Sequence, residues 1–187
     1  MQDPILFSLT VLAILGTPGP TNMLLATSAA LVGVRRSLPL IVAELSGYLL
    51  AIAALHVVLG NLMAAYPGIN TALRLLVGAY LLVAAFELWT RREVLDGLPS
   101  GVRFERVFVT TLLNPKAIVF AFGVIPLSAP NAAFYVLAFT GFVVAAALIW
   151  IAVGALVGRM AVRPASRAIP RASALVLTLF AGLIAAG

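Results

Sequence analysis

Two short stretches concentrate the residues able to do chemistry: Gly16-Thr17-Pro18-Gly19-Pro20-Thr21-Asn22 and Asn114-Pro115-Lys116. Each interrupts an apolar run, ILFSLTVLAIL and MLLATSAALV flanking the first. Proline removes a backbone donor and clashes with the carbonyl four residues earlier. Pro18 and Pro20 do this to the carbonyls of Ile14 and Gly16, and Pro115 does it to that of Thr111. A helix broken in this way offers carbonyl oxygens to an ammonium on one side of the break and N–H groups to a carboxylate on the other. Lys116 adds a positive charge at the second break, and Glu44 adds a negative one. The set fits a zwitterion. Thr17, Pro18, Gly19, Pro20, Asn22, Glu44, Asn114, Pro115 and Lys116 are the expected substrate-binding residues. In that reading Lys116 faces a carboxylate, while Glu44 holds an ammonium or carries a coupling proton. The structural alternatives are a Lys116–Glu44 ion pair, or a Lys116 that snorkels to the cytoplasmic interface.

The elements that must position these residues are membrane helices. Of 187 residues, 63% are hydrophobic and 10% charged, and the mean hydropathy is +1.15. A soluble domain is about half apolar and about a quarter charged. The apolar runs are long and lack strand alternation, which argues against a β-barrel. At about 20 apolar residues per span, six spans read at roughly 5–32, 38–61, 69–90, 107–127, 132–157 and 172–187. The expected fold class is an all-α integral membrane protein, one transmembrane domain over 1–187. Three spans per half give the halves opposite orientations, hence two inverted three-helix repeats. Repeat one covers about 1–90, a cytoplasmic loop about 91–106, and repeat two about 107–187. Proline breaks then fall in helices 1 and 4, the first span of each half. Interrupted helices at matching places of an inverted repeat are the best sequence pointer to a transporter site.

Charge placement sets the expected orientation. Arg35 and Arg36, then Arg91, Arg92, Arg103 and Arg106, then Arg159, Arg163, Arg167 and Arg171 fall in alternate loops, ten of the twelve basic residues. The positive-inside rule puts those loops in the cytoplasm and both termini outside. The net charge of +6 follows from this topology, so nucleic acid is not an expected partner. There is no cysteine and one histidine, His56. Thiolate and multi-histidine metal sites are therefore excluded, and no metal or other cofactor is expected. No nucleotide-binding loop is present. The run Gly141–Gly158 is rich in alanine and suits close helix packing; such small-residue faces would also permit a homodimer.

The stretch GTPGPTNMLLATSAALVGVRR resembles the first span of the LysE/RhtB family of amino-acid exporters, with its PGPN-like segment, apolar run and basic loop. LLNPKAIVFAFGVIP resembles that family's fourth-span motif. Pro18, Gly19, Pro20 and Asn22 match the first motif, and Asn114, Pro115 and Lys116 the second. Thr21 is an insertion relative to many members, and Glu44 and Tyr48 replace small residues. The resemblance implies export of amino acids or close derivatives across the bacterial cytoplasmic (inner) membrane, coupled to protons, with lipid around the chain and no enzymatic activity. The alternative is an ion or metal transporter of similar architecture, which would need clustered carboxylates or histidines at the midplane.

Overall fold

The computed structural model describes residues 3–65 and 101–160, together with positions 75, 79, 82, 86 and 178. The expected spans at 69–90 and 172–187, the loop over 91–100, and Arg163, Arg167 and Arg171 lie outside the continuous described segments. The inverted-repeat division and the orientation drawn from those arginines therefore stay as expectations.

Helix α1, Pro4–Gly16, starts where the Asp3 carboxylate accepts from Ile5 N (2.8 Å) and Leu6 N (3.3 Å), with proline in its first turn. It stops at the first break. Helix α2, Pro20–Val32, follows at a 60° bend. Gly33, with φ +84°, then turns the chain into the short α3, Val34–Ser37. Helix α4 covers Pro39–Ala65. Helix α5, Phe104–Leu112, ends at the second break. Helix α6, Lys116–Val119, runs on into a π-helical turn at Phe120–Val124, bent from α5 by 50°. Helix α7 covers Ala132–Met160. No strand occurs among the described residues.

Two straight stretches are long and apolar enough to cross a bilayer, Val34–Val58 and Ala132–Arg159. The bent pairs α1–α2 and α5–α6 each reach that length together. These are the first, second, fourth and fifth expected spans, and the fold class is all-α and membrane-embedded, as expected. Both bends fall at the prolines, since neither break can continue the backbone ladder.

The outer surface is apolar, with Ile5 72% exposed, Val57 71% and Leu137 72%. Lipid is the solvent these exposed apolar positions suit. The inner face of α7 repeats every four residues through Tyr135, Phe139, Val143, Ala147 and Ile151, all buried. Its upper part packs with α1, α4 and the π-turn, and its lower part with α2, α4 and α5. Helices α2 and α7 touch backbone to backbone. A Cβ built on Gly154 would collide with the Ala26 carbonyl, and one on Gly158 would lie 2.7 Å from the Ala30 oxygen. Small residues four apart on both helices permit this approach. Gly47 does the same for α4 against α5, where a Cβ would lie 2.8 Å from Thr111 Cβ.

Candidate functional site

The first break leaves carbonyls at the end of α1 without helical partners. Three side chains donate to carbonyls at this break. Thr17 Oγ1 donates back to Ala13 O (2.8 Å), beside its own N–H (3.1 Å). Asn22 spends both hydrogens of its amide on the break, donating to Leu15 O (2.8 Å) and Thr17 O (2.9 Å). Trp150 Nε1 on α7 also donates to Leu15 O at 3.4 Å. Asn22 therefore staples its own broken span, although it lies in α2 and the carbonyls belong to the end of α1 and the linking residues.

The second break is satisfied mainly from within. Asn114 N donates to Thr111 O (3.0 Å), so the carbonyl that Pro115 orphans is taken up one residue early. Asn114 Oδ1 accepts from Lys116 N (3.0 Å), which turns the chain into α6. The other end of the Asn114 side chain donates to Thr21 Oγ1 (3.2 Å) and Tyr48 Oη (3.4 Å). Thr21 and Thr111 share a hydrogen bond at 3.1 Å, and Thr111 Oγ1 bonds back to Val107 O (2.8 Å). The two breaks, more than 90 residues apart in sequence, are thus tied by a buried polar cluster.

Lys116 closes the junction. Its ammonium donates to Thr17 O at 2.6 Å, and the residue is 6% exposed. The stem crosses Gly19, where a Cβ would lie 3.2 Å from Nζ and 3.3 Å from Cε. Gly19 has extended φ and ψ of −157° and 175°, which any residue can adopt. Its missing side chain therefore serves the lysine rather than the backbone. Neither structural alternative for Lys116 holds. It makes no ion pair with Glu44 among the described residues, and it does not snorkel out.

Glu44 is 1% exposed, and its Oε2 has no hydrogen-bond partner among the described residues. It lies one helical turn before Tyr48 on α4 and close enough to Lys116 for the two charges to interact. A buried carboxylate oxygen left bare costs free energy that packing alone does not require. The Tyr48 ring sits edge-on to Phe120 (5.7 Å) and Phe139 (6.0 Å), an aromatic wall beside the polar cluster.

Of the expected residues, Thr17, Gly19 and Lys116 meet directly. Pro18 lies in the link, while Pro20 and Pro115 stand at the starts of α2 and α6. Asn22 and Asn114 serve the breaks as caps, and Glu44 stands beside the junction without joining it. Thr21 and Thr111 were not among the expected substrate-binding residues; Tyr48, which stands out in the sequence as a replacement for a small residue, joins them through its hydroxyl. Thr111 carried one signal: it is the residue whose carbonyl Pro115 displaces. Among the described residues no three His, Cys, Asp or Glu side chains are grouped to hold a metal ion.

Searches of curated proteins and of solved structures return no match. A family model described as LysE type translocator matches residues 12–187, taking in both breaks, Glu44 and Lys116. The match covers most of the chain, and the chain belongs to the LysE type translocator family, a family of membrane transporters.

Proposed function

We propose that the protein is a secondary transporter that exports amino acids or close derivatives from the cytoplasm across the bacterial inner membrane, driven by the proton gradient. The observation that carries this reading is the junction of the two breaks. A carbonyl at the end of α1 and a buried ammonium from α6 stand side by side at 2.6 Å. A zwitterion needs one acceptor for its ammonium and one cation for its carboxylate, and this junction supplies both within a water-poor interior. Charge-assisted hydrogen bonds there are roughly twice as strong as neutral ones. Glu44, buried and with a bare oxygen, supplies a carboxylate able to take up and release the coupling proton.

The test is efflux from proteoliposomes loaded with labelled amino acids, with and without a pH gradient, for the wild type and Glu44→Gln. The expected result is gradient-stimulated efflux of a subset of amino acids by the wild type. Glu44→Gln should keep exchange of labelled for unlabelled cargo but lose the stimulation by the gradient. Folded wild-type protein that moves no amino acid would overturn the substrate class. Full gradient stimulation in Glu44→Gln would remove Glu44 from proton coupling.

A further inference from the structure

Lys116 is the only lysine among the twelve Lys and Arg residues of the chain. Every other cation is an arginine, whose planar fork holds its partners rigidly. At the junction of the breaks stands instead a compact ammonium on a flexible stem. It is the same chemical group that an amino-acid cargo carries. It sits on the Thr17 carbonyl, both of whose lone pairs are taken, one by Asn22 at 2.9 Å and one by Lys116 at 2.6 Å. The Asn22 bond fixes the direction of that carbonyl, and the bare Cα of Gly19 leaves a path for the lysine stem.

We propose that the Lys116–Thr17 hydrogen bond is the closed form of the cargo site, with Lys116 standing in for the cargo's ammonium while the carrier is empty. This deepens the amino-acid export reading above and rests on it. An α-amino acid opens the bond by replacing each half. Its ammonium takes over the Thr17 carbonyl, and its carboxylate pairs with the displaced Lys116 ammonium. The Thr17 carbonyl and the Lys116 ammonium each keep a partner in either state, which matters where leaving a buried polar group unsatisfied costs more than a typical hydrogen bond contributes. The exchange explains why the position is a lysine and why Gly19 lacks a side chain. It also sets a selectivity rule: a ligand needs both groups. An amine without a carboxylate displaces Lys116 but leaves it unpaired, and an acid without an amine cannot take the carbonyl. The Thr21–Thr111–Asn114–Tyr48 cluster ties the two spans together and holds them in register while the lysine moves.

Binding to detergent-purified protein tests this. The probes are the standard amino acids and, for those that bind, the corresponding decarboxylated amines, each measured with the wild type and Lys116→Met. The amine should bind the wild type weakly and bind Lys116→Met about tenfold tighter, because the competitor for Thr17 is gone and a charge-assisted hydrogen bond carries at least that factor. The amino acid should bind Lys116→Met no better than its amine does. Equal or weaker amine binding in Lys116→Met overturns the inference and leaves the export reading standing. Absence of amino-acid binding to folded wild type overturns both. Should Lys116→Met fail to fold, the single lysine provides a second readout in the wild type. Protein labelled with nitrogen-15 lysine gives one side-chain ammonium resonance, which should shift on saturation with the amino acid. A resonance unmoved at saturation overturns the inference.

Discussion

Replacing Gly154 by alanine should push α2 and α7 apart, while the same change at Gly141, on the same helix, should not. A Cβ on Gly154 would lie 2.5 Å from Ala26 Cα, besides colliding with the Ala26 carbonyl oxygen. Carbon atoms in contact sit about 3.5–4.0 Å apart, so the helices must separate by about 1 Å. The obstacle is backbone, which cannot rotate aside. Overpacking costs about 1–3 kcal/mol, while alanine in place of glycine in a helix returns about 0.5–1 kcal/mol. The net loss is therefore about 1–2 kcal/mol, and larger if the Trp150 bond to Leu15, at 3.4 Å, breaks as the helices part. Among the described residues, no heavy atom beyond the helix's own backbone lies within 4 Å of a Cβ added at Gly141, so alanine there keeps only the gain. Thermal unfolding in detergent, followed by intrinsic tryptophan fluorescence and checked on a sizing column, reads both. At about 2–4 °C per kcal/mol for a chain of this length, Gly154→Ala should melt several degrees below the wild type and Gly141→Ala at or above it. A Gly154→Ala variant as stable as Gly141→Ala would refute the backbone contact between α2 and α7.

Gly19→Val should fold, because the backbone there is extended, yet reduce efflux about tenfold by pushing Lys116 off Thr17; wild-type efflux would show that the lysine's seat is dispensable. Asn22→Ala should cost about 1–3 kcal/mol in thermal unfolding, since two carbonyls lose a donor at once. Thr10→Ala, which removes only an exposed side-chain bond to Leu6 O, should stay within about 0.5 kcal/mol of the wild type; equal losses in the two variants would mean that Asn22 does not staple the break.

The parts of the site legible in the sequence were those set by backbone chemistry. Proline in an apolar run must interrupt a helix, so both bends, and Pro20 and Pro115 at the starts of new helices, follow from residue type alone. A lysine within a span must be compensated, and that too could be read. The identity of the compensating group could not. Charge complementarity pointed to Glu44, but the end of α1 places a carbonyl nearer to Lys116 than any carboxylate, and only the 60° bend brings it there. The same limit hid the roles of Thr21 and Thr111 and the hydrogen bond that brings in the Tyr48 hydroxyl. Their hydroxyls look like ordinary helix residues until the spans are packed. For Gly19 the sequence shows a glycine at a turn, whereas the packed structure shows room made for a side chain from another span.

Lys116→Met and wild-type protein, reconstituted side by side and loaded with labelled amino acids under a pH gradient, test most directly whether the junction of the two breaks is the transport site. The expected result is gradient-driven efflux by the wild type and its loss in a Lys116→Met protein that still elutes as a folded species. Efflux at the wild-type rate by Lys116→Met would contradict it, and would leave the buried lysine as a strut between two bent helices.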